Sequence, residues 1–225
     1  MKFSITTIYA SIVWLVLCPW MTKLSAADSD RPNVVFVFSD DHAVNAISAY
    51  GGPLAEVAPT PNIDRIAREG ALFQNSFCAN SICGPSRACI LTGKHSHKNG
   101  FMRNDGKGFD SSQWTFAKSI QASGYQTAVI GKWHLHTDPV GFDYWEILPG
   151  QGHYYNPVFL QMDGSQKKFE GYVTDLTTDK SIEWLQQRDK DKPFLLMCQH
   201  KAPHRTFAPA LRHLGSLDEV EIPEP

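Results

Sequence analysis

Cys83-Gly84-Pro85-Ser86-Arg87-Ala88-Cys89-Ile90-Leu91-Thr92-Gly93 puts a nucleophile and a permanent cation at the start of one short helical stretch. Pro85 suits a first helical position, having no N–H to lose and a helical φ already set. Gly93 suits the left-handed stop. The pattern predicts a loop entering a helix, with Cys83 just ahead of its N-terminus. Free N–H groups and the positive dipole end favour an anion there. Arg87, four residues on, reaches back one turn. This layout serves attack on a phosphoryl-like or sulfuryl-like centre. For a cysteine taken alone, a buried thiol at an ordinary helix start is the other reading.

Other reactive side chains follow apolar runs. Asn33 to Phe38 reads as a strand buried on both faces of a parallel sheet, and Ser39-Asp40-Asp41-His42 follows it. Adjacent carboxylates repel unless they share a cation, and a hard ion such as Ca²⁺ or Mg²⁺ suits their oxygens. A solvated turn is the alternative for the Asp-Asp pair alone. Tyr125 to Ile130 is a second strand, ahead of Lys132 and His134, which share a face if extended. Phe194 to Gln199 is a third, ahead of His200, Lys201 and His204. Strands delivering polar residues at their carboxyl ends, alternating with helices, predict an α/β domain with one shared site.

Between these runs, Thr60 to Gly70 reads as a helix capped by Thr60, with Ile63, Ile66 and Ala67 inward. Ala71 to Phe77 reads as a strand. Gln113 to Ser123 and Tyr172 to Arg188 read as helices, the second with Leu176, Ile182 and Leu185 on its apolar side. His95 and His97 lack a third soft ligand at suitable spacing and read as surface or supporting residues. The aromatic, glycine-rich stretch Gly141 to Pro157 suits a sugar platform or core filling equally.

Cys-x-Pro-Ser-Arg followed by Leu91-Thr92-Gly93 resembles the signature of the type I sulfatases, whose cysteine is oxidised to formylglycine. Asp40-Asp41 after the first strand, Gly131-Lys132-Trp133-His134 and Pro203-His204 match further motifs of that family. The resemblance covers roughly residues 31 to 215. It implies the alkaline phosphatase-like fold, three layers with a mostly parallel central sheet flanked by helices. It assigns Asp40, Asp41 and the converted Cys83 to a metal, Ca²⁺ or Mg²⁺. It assigns Lys132 to the sulfate, His134 to formylglycine and His204 to catalysis. Asn104 and Lys201 join as pocket residues, His200 as a supporting one. The aromatic loop looks like the N-acetylglucosamine-6-sulfatase-like branch of bacterial carbohydrate sulfatases.

The implied chemistry has a physical logic. A serine sulfate would be a stable ester. An aldehyde at position 83 hydrates to a geminal diol, one hydroxyl of which attacks sulfur while the sugar alcohol leaves. Deprotonating the other hydroxyl expels sulfate and restores the aldehyde. The metal lowers the diol's pKa, Arg87 stabilises it, His134 takes its proton and His204 protonates the leaving oxygen. The implied partners are a sulfated saccharide and a formylglycine-generating maturation enzyme. Family members are about twice this length, with further metal ligands and a second sulfate-binding lysine beyond Pro225. The chain therefore reads as an N-terminal portion of the catalytic domain, over residues 27–225.

The 225 residues carry a net charge of −2, which gives no sign of nucleic-acid binding. Lys2, the apolar run Ile8 to Trp20 and Leu24-Ser25-Ala26-Ala27 read as a signal peptide over residues 1–26, so export to the periplasm or medium is expected. After cleavage no stable membrane insertion is expected. Cys78, Cys83, Cys89 and Cys198 do not make a disulfide scaffold. Two alternatives remain: a phosphatase or phosphodiesterase of the same superfamily, and a non-catalytic glycan-binding remnant.

Overall fold

The computed structural model describes residues 31–223; the expected signal peptide lies outside them. Among the described residues six strands form one mixed sheet: β1 (Val34–Asp40), β2 (Gln126–Lys132), β3 (Tyr144–Leu148), β4 (Val158–Gln161), β5 (Gln166–Lys168) and β6 (Phe194–Pro203). Their order is β1-β6-β2-β3-β4-β5. The first four in that order run parallel, and β4 and β5 extend the sheet antiparallel. The helices are α1 (Pro61–Glu69), α2 (Cys83–Thr92), α3 (Ser96–Asn99), α4 (Phe116–Ala122) and α5 (Val173–Gln187). Among the described residues no helix is long and apolar enough to cross a membrane.

The central strands behave as their composition demands. Ala128, Val129 and Ile130 of β2 and Leu195, Leu196 and Met197 of β6 are buried, alternately facing two hydrophobic clusters. The cluster on the α2 side holds Ala88 and Leu91 with Trp133, Phe142 and Trp145. On the other side α5 lies against β6 and β2 through Val173, Thr177 and Ser181. These three small side chains recur every fourth position and let the helix approach closely. Ser181 satisfies its buried hydroxyl on the Thr177 carbonyl at 2.7 Å. Ile182, expected inward, is exposed, because it lies off that line.

β1 departs from expectation. Val35 and Val37 are exposed, whereas Val34 and Phe36 pack on the core cluster. This strand is at the edge of the sheet, and only one of its faces is covered by described elements. Ile63 and Ile66 of α1 are likewise exposed, and Thr60 makes no side-chain cap. The Thr60 hydroxyl is engaged instead by the Ser48 N–H at 3.0 Å and by Asp64 at 2.9 Å. Residues 71–77 form a loop rather than a strand, since no strand among the described residues pairs with them. α4 begins later than expected, at Phe116, where the Thr115 hydroxyl accepts from the Lys118 N–H at 3.3 Å.

Candidate active site

The carboxyl ends of β1, β2 and β6 converge on the start of α2. Cys83 is the first residue of this helix rather than its predecessor. The Ser86 N–H bonds the Ile82 carbonyl at 2.8 Å, which starts the helical ladder one residue ahead of the thiol. Gly84 allows the helix end to enter the site. A Cβ there would lie 2.5 Å from Asn104 Oδ1 and 3.0 Å from the His134 carbonyl. The closing turn forms as the sequence implies, with Gly93 at φ 64°.

Among the described residues three side chains face Cys83 Sγ. His134 Nδ1 and Asn104 Nδ2 both stand 3.2 Å away, and Gln151 Nε2 stands 3.9 Å away. Burial, followed by the charges of Lys132 and Arg87, pulls the His134 pKa down to about 4. Its imidazole is therefore neutral near pH 7, with a ring nitrogen beside the thiol able to accept a proton.

Behind the thiol is a buried ionic cluster. Lys132 is wholly buried and pairs with Asp40. Arg87 donates to Asp40 at 3.3 Å, to Gln199 Oε1 at 2.6 Å and to the Lys132 carbonyl. Its guanidinium also stacks over the Phe38 ring at 5.0 Å. Burial lowers its pKa, opposed chiefly by Asp40. Arg87 thus ties α2 to β1, β2 and β6, and its charge acts on Cys83 through space.

The β6 end folds over this cluster. Phe38 is paired with Gln199 but Asp40 with Pro203, so β6 carries extra residues there. That bulge places Lys201 and His204 on one cavity with Gln151 and Arg205, of about 540 Å³. Burial, then Lys132, lowers the Lys201 pKa, and its ammonium lies 4.8 Å from the Tyr154 ring centre. His204 Nδ1 faces the Arg205 carbonyl at 2.7 Å, which can only accept. Nδ1 therefore carries a hydrogen, and Nε2, 3.7 Å from Asp41, is the nitrogen left to exchange a proton with a ligand. His200 points elsewhere, its Nε2 3.5 Å from Cys198 Sγ.

Asp40 and Asp41 share a second cavity with Cys83, of about 330 Å³. Asp41 has a left-handed backbone (φ 62°), so consecutive residues both reach this wall. Their oxygens suit a Ca²⁺ or Mg²⁺ ion, but such ions take about six oxygens or more. Among the described residues no group of three or more His, Cys, Asp or Glu side chains could hold a metal. Asp40 and Asp41 therefore fit as part of a shell, which Cys83 does not complete.

Sequence reasoning missed Gln151, Gln199 and Tyr154, whose hydroxyl donates to the His204 carbonyl. The one available signal was Gln151 between two glycines. The aromatic stretch divides. Phe142, Trp145 and Tyr154 are buried, whereas His153 and Tyr155 open onto the larger cavity. His95 and His97 stack on each other at the surface, 5.8 Å apart.

The sulfatase family model matches residues 32–215, nearly all of the described chain. The chain belongs to the sulfatase family. It is 52% identical over 201 residues to an N-acetylglucosamine-6-O-sulfatase of Bacteroides thetaiotaomicron, covering 88% of this chain and 35% of that one. It is 30% identical to the N-acetylgalactosamine-6-sulfatase of Mus musculus, covering 86% of this chain and 44% of that one. The chain thus spans between a third and a half of these relatives. The solved structure of BT4656 in complex with its substrate D-glucosamine-2-N,6-O-disulfate superposes with a TM-score of 0.83 at 53% identity. That match covers 87% of this chain and 39% of BT4656. A phosphonate monoester hydrolase of Agrobacterium radiobacter shares the fold at TM-score 0.60 and 20% identity. Sulfatases of this alkaline phosphatase-like fold typically use formylglycine and a divalent metal.

Proposed function

We propose that the protein is an exported carbohydrate sulfatase, periplasmic or secreted, that removes sulfate from N-acetylglucosamine 6-sulfate units. The observation that carries this reading is the convergence of His134, Asn104 and Gln151 on Cys83 Sγ beside a buried lysine. The thiol marks where the oxygens of a formylglycine would stand once a maturation enzyme has converted Cys83. In this reading sulfate sits at the start of α2, and Lys132, buried behind Cys83, contributes positive charge toward it.

Asp40 and Asp41 would hold Ca²⁺, or Mg²⁺, which when bound supplies a Lewis acid at the sulfate oxygens. His134, neutral near pH 7, accepts a proton at Nδ1 from the group at position 83. His204 delivers a proton from Nε2 to the departing sugar oxygen, its Nδ1–H held on the Arg205 carbonyl. Arg87 holds Asp40 in place at 3.3 Å. Asn104 donates from Nδ2 toward position 83, and Lys201 adds positive charge on the wall of the larger cavity.

The test is the mass of the Cys83 peptide in protein from its native host, with sulfate release from 6-sulfated N-acetylglucosamine. A peptide lighter by the cysteine-to-aldehyde change, together with sulfate release, is the expected result. An unmodified thiol, with binding of the sugar and no release, would point to the glycan-binding remnant. Faster hydrolysis of an aryl phosphate than of the matched aryl sulfate would favour the phosphatase.

The His134 shift also fixes a pH limb. A base that must be neutral is lost as pH falls through its pKa of about 4. The acid limb of kcat assigned to it is expected below pH 5, not near the ordinary histidine value of about 6.5. Stability runs with the same sign. The folded pKa is depressed, so the unfolded chain binds more protons between about pH 6.5 and 4. This contribution is full above about 6.5 and declines down to about 4. Paired urea titrations of wild type and His134→Gln across that window measure it.

A further inference from the structure

Gln151 lies on the turn after β3, between Gly150 (φ 54°) and Gly152 (φ 67°). A Cβ on Gly152 would come within 2.8 Å of the Leu148 side chain, so the turn is fixed against its own strand. This turn carries Gln151 to the ionic cluster, where Oε1 accepts from Lys132 Nζ at 2.5 Å.

The chemistry of the partners orients the amide. Lysine has only donors, so the carbonyl oxygen of Gln151 must face it. Nε2 is then the end that faces Cys83 Sγ, at 3.9 Å. Lys132 has three N–H donors, of which one goes to Asp40 and one to Gln151. With both anchors in place its ammonium has one direction left to offer. On a side chain that is wholly buried, that last donor is fixed and not averaged over rotamers.

We infer that Gln151 is a positioning residue for desulfation: it aims Lys132 Nζ at the sulfate and presents its own amide N–H to the reacting group at position 83. A neutral side chain suits this place. A carboxylate would hold the lysine equally well but repel the sulfate, and a cation would compete with the lysine for Asp40. The inference rests on the sulfatase reading and adds a residue to it.

The test uses the mature native protein carrying Gln151→Met, which keeps the length and removes both polar ends, and Gln151→Glu, which keeps only the acceptor for Lys132. Each is compared with wild type at equal formylglycine content, measured by peptide mass. In Gln151→Met, kcat is expected to fall roughly ten- to hundredfold, the effect of one charge-assisted hydrogen bond. The inhibition constant of inorganic sulfate should rise about tenfold in step, with the thermal midpoint lowered only by what one lost buried hydrogen bond costs. A purely structural role would not move the sulfate constant. Gln151→Glu should weaken sulfate inhibition further than Gln151→Met. Wild-type kcat and sulfate inhibition in Gln151→Met would overturn the inference. If that variant misfolds, unchanged sulfate inhibition in Gln151→Glu would do so. A wild-type protein that releases no sulfate would instead defeat the sulfatase reading itself.

Discussion

Cys83→Ala is expected to abolish sulfate release, by at least about 10⁴-fold in kcat, with the fold intact. Everything else in the cluster acts on whatever stands at position 83. His134, Asn104 and Gln151 all aim at that one atom, which stands on the first residue of α2. The stability cost should be small, under about 1 kcal/mol, because thiols are weak hydrogen-bonding partners and Cys83 is only half-buried. Released sulfate and the thermal midpoint of the same preparations measure the two effects. Sugar binding should survive, since Lys132 and Lys201 remain. Turnover at the wild-type rate in Cys83→Ala would remove the foundation of the assignment.

The largest stability effect is expected at a residue that touches no substrate. Gly131, on β2 beside Lys132, has φ 105°, and an added Cβ would lie 2.0 Å from the Gln199 carbonyl oxygen. The same methyl would meet Thr177 of α5 at 2.9 Å. The β6 backbone and the Thr177 methyl lie closer here than a side chain at position 131 allows. Gly131→Ala therefore combines left-handed strain with overpacking, each costing about 1–3 kcal/mol, for roughly 4 kcal/mol in total. A fall in thermal midpoint of about 10 °C or more should follow in a domain of this size. It should also disturb the site, because Gln199 anchors Arg87 and Lys132 is the next residue. A Gly131→Ala protein with the wild-type urea midpoint would show that the strands are less tightly registered than described.

Local strings determined most of the candidate site. Cys83, Arg87, Lys132 and His134 lie in short motifs whose spacing is set by one helix turn or one strand end. Such spacing survives translation from sequence to structure. The α/β alternation and the cores of β2 and β6 were equally legible, because β-branched and aromatic runs have few other ways to be buried. The resemblance in those motifs also led to the family.

Tertiary structure decided what depends on partners distant along the chain. Arg87 meets Gln199 across 112 residues, a pairing that no pattern around either one announces. Gln151 and Tyr154 are neutral residues without a motif, and only the path of the turn after β3 brings them to Lys132 and His204. β1 shows the same limit from the other side. A continuous apolar run reports that a strand can be buried on both faces, whereas the described residues cover only one and leave Val35 and Val37 exposed. Residue type and spacing fix what a side chain can do. Which groups it does it with is set by chain topology, through contacts whose two halves are far apart in sequence.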